Sequence, residues 1–229
     1  MTPLVSVIVP VLDEASALPG VLDHLASLPG RFEVLVADGG SADGSAEVAR
    51  AHPLGARVID APRGRARQLN AAAEQAGGDA LVFLHADSRL PRGAWDSVAR
   101  ALADHRTLGG AFALRFDGRD SFSRVLTAWY AVQRRAGIYY GDSTIWVRAP
   151  TFAALGGFRD LPIMDDYDFV RRMERRGRTV TLPGPALTSA RRWRAQGVTR
   201  TVFSWVVIRW LYVMGVPPEL LAALYRHIR

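Results

Sequence analysis

His85 and Asp87 close the stretch ALVFLHAD, where an apolar run from Ala80 to Leu84 gives out. On an extended strand, side chains at i and i+2 leave from the same side, so this imidazole and carboxylate would converge on one point. The carboxylate can ligate a hard divalent cation, and the histidine can ligate it or hydrogen-bond its ligands. Mg²⁺ takes one or two protein carboxylates and fills its shell with water and substrate phosphates, so this pair suffices only where a diphosphate shares the ion. Mn²⁺ accepts the imidazole more readily. Taken alone, a carboxylate at a strand end is more often a turn former.

Three other constellations carry chemistry. IMDDYDF places Asp165, Asp166 and Asp168 at the start of a helical pattern. Mutual repulsion there raises a carboxylate pKa toward that of a general base, although capping and the helix dipole account for one or two of the three acids. VADGGSADGS sets Asp38 at a strand end. It can accept hydrogen bonds from a nucleotide base or ribose, or cap its own loop. The glycines do not follow GxGxxG, so a dinucleotide fold is not favoured. PRGRARQLN holds Arg63, Arg65 and Arg67 ahead of a helix. Cations there oppose the dipole and suit an anionic partner such as a diphosphate, unless the run is simply a solvated basic loop.

Positioning such groups needs a framework, and the first half supplies one by alternation. VSVIVPVL is nearly all apolar, as in a parallel strand covered on both faces. ALPGVLDHLASL follows with helical spacing of Leu18, Val21, Leu22 and Leu25. FEVLVADGG, ARVIDA and ALVFLHAD read as further strands, with helices over SADGSAEVARAHP, ARQLNAAAEQA and PRGAWDSVARALADH. Ser, Asp and Ser are expected to cap the second helix. This is the pattern of an α/β sheet, whose ligands sit beyond the carboxyl ends of the strands. The strands end on Asp13 and Glu14, Asp38, Asp60, and then His85 and Asp87, so one shared site is expected there. Beyond residue 105, GGAFALRF reads as a strand, SFSRVLTAWYAVQRRAG as an aromatic-rich helix, and GDSTIWVRAPTFAALGGF as strand, turn and short helix. MDDYDFVRRMERRG is a helix acidic at its start and basic later, and TVTLPG is a late strand.

The chain has 229 residues, nearly half of them apolar, enough for one domain with an appended C-terminal piece. No cysteine is present, which excludes disulfides and thiolate metal sites and makes a cytoplasmic location the simplest expectation. The first residues read as a strand and not as a signal peptide. All 29 basic residues are arginine and the net charge is +7. Guanidinium forks suit phosphates and anionic head groups. The aromatics are not interleaved with them as a base-stacking surface requires, so no nucleic-acid partner is expected.

Taken in order, SVIVPVLDE, EVLVADGGSADGS, RARQLN, FLHADSRLP, GGF with MDDYDF, and ARRW resemble the family 2 glycosyltransferases of GT-A fold, over roughly residues 4 to 194. FLHADS and SARRW resemble more narrowly a small bacterial group within them. The resemblance implies an α/β, Rossmann-like, mostly parallel sheet flanked by helices, with a C-terminal helical tail. It divides the chain into a GT-A domain over 1–195 and a helical extension over 196–229. It implies a nucleotide-diphospho-sugar donor, UDP by family default, and a hydroxyl acceptor, a lipid-linked one among the alternatives.

By the same resemblance Pro10, Glu14 and Asp38 line the base and ribose pocket, and Arg65 or Arg67 approaches the uracil or diphosphate, with His85 beside the nucleotide. The family's DXD element falls on His85, Ala86 and Asp87. Asp87 is therefore the expected ligand of Mg²⁺ or Mn²⁺, with His85 where the first carboxylate stands elsewhere. Asp165 and Asp166 match the acidic pair, the second as general base of an inverting single transfer. Arg192 would hold the leaving diphosphate and Trp193 the acceptor, with Asp142 on that side of the site; Ser189 replaces the glutamine of processive members. A sugar-phosphate nucleotidyltransferase is the rival enzyme, but PVLDEASALPG lacks its glycine-rich basic loop. A non-catalytic nucleotide-sugar binder is the rival from another class, and it would have no need of Asp166.

The tail has an apolar run from Val202 to Val216, interrupted by Arg209 and ended by Pro217 and Pro218. That is shorter than the roughly 20 residues needed to cross a bilayer. Trp205, Trp210 and Tyr212 around Arg209 suit a membrane interface on the inner face, near a lipid-linked acceptor. Packing on the domain, or on a second subunit in a homodimer, is the alternative and slightly favoured.

Overall fold

The computed structural model describes residues 2–118, 120–188 and 198–228. Seven strands form one sheet in the order β3-β2-β1-β4-β6-β5-β7. β1 (Val5–Val11), β2 (Phe32–Asp38), β3 (Arg57–Asp60) and β4 (Ala80–Phe83) run parallel. β6 (Ile145–Arg148) is antiparallel to its neighbours β4 and β5 (Thr107–Phe116), while β7 (Arg178–Thr188) is parallel to β5. The first five strands are joined by α1 (Leu18–Ala26), α2 (Ser45–Ala51), α3 (Arg65–Glu74) and α4 (Ala94–Ala103). Then come α5 (Ser121–Arg135), a 3₁₀ turn over Gly141–Ser143, α6 (Ala149–Ala154) and α7 (Asp165–Arg176). Two helices end the chain, α8 (Val198–Val213) and α9 (Pro218–Ile228).

The sheet is covered on both faces, which is why its central strands are apolar throughout. Val5, Val7, Val9 and Val11 of β1 pack with Leu18, Val21, Leu22 and Leu25 of α1 and with Trp95 and Val98 of α4. Ile8 turns to the other face, with Leu35 and Ala37 of β2, Leu69 and Ala72 of α3, and Phe169, Val170 and Met173 of α7. Each fully buried Val, Leu or Ile contributes about 1.5–3 kcal/mol. The face that buries α7 therefore also fixes the acidic residues at its start.

Three local expectations change. β4 stops at Phe83, so His85 and Asp87 lie in the following turn and not on the strand. Leu84 N–H still donates to Ile8 O at 2.9 Å, but the next ladder bond would have to come from residue 10, and Pro10 has no N–H. The Ser and Asp residues before α2 do not cap it. Gly44, at φ 87°, takes that position, and Asp43 accepts instead from Ser45 N–H and hydroxyl at 3.0 and 2.6 Å. β7 extends to Thr188, with a register shift against β5 between Phe112 and Ala113. The expected boundary at 195/196 lies outside the described residues.

Candidate active site

Strand order reverses at β1, which has β2 on one side and β4 on the other. The carboxyl ends of β1 and β4 therefore open a crevice, the usual ligand position in such sheets. On the β1–β2 side the two loops are tied together. Asp13 accepts from Ala42 N–H at 2.8 Å, Asp43 from Ala15 N–H at 2.9 Å, and Ser45 Oγ from Glu14 N–H at 2.8 Å. Asp38 is buried and serves its own loop, accepting from Gly40 N–H and Ser41 N–H at 3.1 Å and from the Ser41 hydroxyl at 2.5 Å. Buried Gln68 of α3 donates to Val11 O and Ala37 O at 2.7 and 2.9 Å, locking the strand ends beneath it.

The centre of the site is an arginine shared by two aspartates. Arg65 opens α3 and donates from Nε to Asp165 Oδ2 at 3.0 Å and from Nη2 to Asp165 Oδ1; the same Nη2 lies 3.4 Å from Asp166 Oδ2. Asp166 also accepts from Gly141 N–H at 2.9 Å and Tyr167 N–H at 2.7 Å. Burial works to raise the Asp166 pKa, but Arg65, the two amides and nearby His85 outweigh it and hold the carboxyl below the usual carboxylate range. Burial raises the Asp165 pKa against the pull of Arg65. Mutual repulsion is thus not the leading influence on either acid, as the sequence had suggested. Arg65 is itself held above its ordinary value: burial opposes its charge, and the two aspartates more than compensate.

His85 sits against the 3₁₀ turn. A Cβ at Gly141 would lie 2.8 Å from His85 Nε2 and 3.2 Å from Asp166 Oδ2, so a larger residue here would push the imidazole away from the Gly141–Asp166 contact. Asp142, next in that turn, contacts Tyr130 of α5. Burial, and then Asp142, push the Tyr130 hydroxyl well above its ordinary pKa. The three non-glycine residues with positive φ among those described are Asp13, Thr144 and Met164, at 57°, 50° and 65°. They flank the β1 loop, the 3₁₀ turn and the first residue of α7, and each costs roughly 1–2 kcal/mol. Strain of this kind collects at functional sites.

A cleft of about 620 Å³ runs from these groups toward the C-terminal helices. Arg65, His85, Asp87, Asp142, Asp165 and Asp166 line its polar end, and Trp129, Tyr130, Tyr140, Trp205, Ile208 and Tyr225 its aromatic end. Arg209 of α8 also lines it and donates to Gln133 Oε1 at 2.7 Å. Burial pushes the Tyr140 hydroxyl up to about 12 despite Arg209 beside it. Pro10 borders a small neighbouring hollow with Arg65, His85 and Asp166. Glu14 and Asp38 stand at the open strand ends, outside the cleft lining.

Other expected residues are placed differently. Arg67 is held on the surface by Asp160, with Nε–Oδ2 at 2.8 Å, and does not line the cleft. Arg65 lines it, but with its guanidinium committed to the acidic pair rather than extended toward a diphosphate. Asp168 belongs to the framework: it accepts from Arg159 and Arg172 at 3.1 and 2.7 Å, and Arg172 also reaches Leu155 O and Gly157 O. Arg192 and Trp193, with Ser189, lie outside the described residues.

Asp87 is exposed in the turn after β4 and faces the cleft with His85. That turn is pinned by reciprocal Arg89–Leu187 backbone bonds of 2.8 Å. Among the described residues no group of three or more His, Cys, Asp or Glu could enclose a metal. The donor set fits a divalent cation only where a ligand's phosphate oxygens complete the shell, which is the way Mg²⁺ and Mn²⁺ are commonly held. Sequence reasoning missed Tyr130, Tyr140, Gln133 and Gly141. An aromatic-rich helix was the only signal, because their relation to Asp142 and Asp166 depends on packing between distant segments.

Residues 6–156 match the family model described as Glycosyl transferase family 2. An undecaprenyl-phosphate 4-deoxy-4-formamido-L-arabinose transferase of Pseudomonas savastanoi pv. phaseolicola is 30% identical over 162 residues, 63% of this chain and 46% of that protein. An uncharacterized protein of Mycobacterium tuberculosis is 28% identical over 208 residues, 79% of this chain and 65% of its own. The chain thus spans about half the length of the first relative and just under two thirds of the second. Among solved structures, a Pyrobaculum calidifontis mannosyltransferase in complex with GDP-Man and Mn²⁺ superposes with a TM-score of 0.71 at 23% identity, covering 99% of this chain and 69% of that one. S. aureus TarS 1-349 in complex with UDP-GlcNAc gives 0.66 at 18%, covering 98% and 70%. The fold is the GT-A fold, as the motif order implied.

Proposed function

Because this chain belongs to glycosyl transferase family 2, we propose that it transfers a sugar from a nucleotide-diphospho-sugar to an acceptor hydroxyl, with inversion and one sugar at a time. The observation that carries this reading is Asp166. It is ionised at neutral pH and aimed by Gly141 N–H and Tyr167 N–H into a cleft it shares with His85, Asp87 and Asp142. Asp166 takes the acceptor O–H proton as that oxygen attacks the anomeric carbon in line. The bond from that carbon to the diphosphate oxygen breaks, and the diphosphate leaves with the electron pair. Asp165 and Arg65 position Asp166, and His85 packs beside it. A divalent cation, Mg²⁺ or Mn²⁺, would be held by Asp87 with His85 nearby and would neutralise charge on the departing diphosphate.

The base and ribose are assigned to the β1–β2 loops near Pro10, Glu14 and Asp38, and UDP is the first nucleotide to try. Relatives bound to GDP-Man and to UDP-GlcNAc support a sugar nucleotide without choosing between them. The aromatic end of the cleft suits an acceptor with an apolar portion, in keeping with a relative named for an undecaprenyl-phosphate substrate. We assign residues 1–195 to the catalytic domain and 196–229 to an extension that completes this end of the cleft. Arg192 and Trp193 keep the leaving-group and acceptor roles implied by their motif.

Calorimetric titration of UDP and GDP, with and without Mn²⁺, tests the donor site. Nucleotide binding that needs Mn²⁺ and falls at least tenfold in Asp87→Ala is the expected result. Binding of neither nucleotide under any condition would sink the reading. The two rivals separate at Asp166: a binding protein would not turn over donor at all, and a nucleotidyltransferase would join a sugar phosphate to a nucleoside triphosphate.

A further inference from the structure

Six units of the net charge of +7 fall on residues 189–229, which hold seven arginines against Glu219; residues 1–188 hold 22 arginines and 21 acids. α5 adds exposed Arg124 and Arg135 and has no acid, while its Arg134 turns inward to Ala111 O and Thr181. These basic segments also carry the exposed apolar side chains. On α5, Val125, Trp129 and Val132 recur at i, i+4 and i+7, a single stripe, and are 50–65% exposed. On α8, Phe203, Val206, Trp210 and Val213 form a second stripe, 42–65% exposed. The opposite face of α8 is buried: Ile208 and Leu211 pack with Met164, Tyr167 and Tyr140, and Leu221 of α9 joins them. Both faces of α8 are therefore apolar, and only one is covered. The two exposed stripes meet at the cleft, since Trp129 and Val206 both line it.

We propose that the outer face of α5 and α8 docks on an anionic lipid surface, which brings the aromatic mouth of the cleft to the membrane plane. Charge complementarity selects this occupant. A second copy of the chain would bring like-charged basic segments together, whereas an anionic bilayer attracts each nearby arginine. Exposed Trp, Phe and Val beside arginine is the composition of a helix that lies in the interface. Among the described residues no helix is long and apolar enough to cross a membrane. The 16 residues of α8 span only about 24 Å, so α8 lies along the surface. That the acceptor enters from this surface rests on the glycosyl-transfer reading; the docking does not.

Co-sedimentation of the full chain with vesicles of neutral phosphatidylcholine, or of phosphatidylcholine mixed with phosphatidylglycerol to give a negative surface potential, tests the proposal. The expected result is at least tenfold stronger partition onto the anionic vesicles, weakened by 0.5 M NaCl (roughly a twofold shorter screening length than physiological salt). Phe203→Ser with Trp210→Ser should lose that partition tenfold while keeping its thermal midpoint and its nucleotide titration. Val125→Ser with Val132→Ser, on α5, should give a second, independent loss. Vesicle binding unchanged in both double variants would overturn the assignment. So would no vesicle binding, whether the chain stays monomeric in light scattering or forms a dimer that Phe203→Ser/Trp210→Ser dissolves. Failure of nucleotide binding in the wild-type chain would instead count against glycosyl transfer and leave the vesicle result standing.

Discussion

Arg65→Met removes the group that joins the acidic pair. Asp165 is the residue left exposed to the consequence: its side chain is 3% accessible and loses the fork that Arg65 supplied through Nε and Nη2. Breaking a buried pair from one side costs about 3–5 kcal/mol. Arg65 is 36% accessible, so solvent screening brings the expected loss down to about 2–3 kcal/mol. For a chain of this size that lowers the thermal midpoint by roughly 4–12 °C. The change at Asp166 is separate. Its pKa is depressed because Arg65 and the amide donors overcome burial; without Arg65, burial acts against fewer opposing charges and the pKa rises.

The sign follows from which form is needed. Catalysis requires the ionised base, so activity falls as pH drops through the Asp166 pKa. In the wild-type chain that fall lies below the ordinary carboxylate range. In Arg65→Met it moves upward into the accessible range. The depressed pKa also stabilises the fold above the unfolded-state value near 3.9, and this contribution is lost as pH falls through the folded value. The assay is a pair of curves, thermal midpoint and donor turnover, each against pH from about 4 to 8, a range chosen to bracket carboxylate titration. Adding Asp165→Asn to Arg65→Met should recover part of the midpoint, with a coupling of about 1–3 kcal/mol. An Arg65→Met chain with wild-type midpoint and an unmoved acid limb would refute the reasoning.

Gly141→Ala places a methyl 2.8 Å from His85 Nε2; turnover should fall more than tenfold while the thermal midpoint moves little, as kinetics and calorimetry on one sample would establish. Gln68→Leu removes the buried amide donor from Ala37 O and Val11 O, the latter keeping Gly39 N–H at 3.0 Å, so urea unfolding should register a loss of about 1–3 kcal/mol in all. Arg172→Ala removes bonds to Asp168, Leu155 O and Gly157 O. It should destabilise the chain by about 3–5 kcal/mol and leave nucleotide affinity unchanged in the fraction that remains folded.

The parallel half of the sheet is legible because β1, β2 and β4 are short, nearly all-apolar runs with a polar residue at or just beyond their ends, and because α1 repeats Leu and Val at helical spacing. The antiparallel insertion of β6 between β4 and β5 leaves no such trace, since pairing partners are chosen by packing and not by local pattern. The acidic pair at 165 and 166 could be singled out by type. Its state could not, for it is set by Arg65, 100 residues away in sequence. Asp168 has the same type and neighbourhood, yet Arg159 and Arg172 draw it into the framework. His85 and Asp87 were found by their spacing, while their conformation was governed by Pro10 on the neighbouring strand, whose missing N–H ends the ladder. Periodicity thus locates elements, and long-range ion pairs and missing donors decide what their ends do.

The most direct test compares Asp166→Asn with the wild-type chain in nucleotide release from UDP- and GDP-sugars, with a membrane lipid extract as acceptor source. Nucleotide affinity is measured on the same preparations. Loss of a general base predicts turnover reduced by about 10²–10⁴ with affinity essentially retained. Turnover at the wild-type rate in Asp166→Asn would contradict the account.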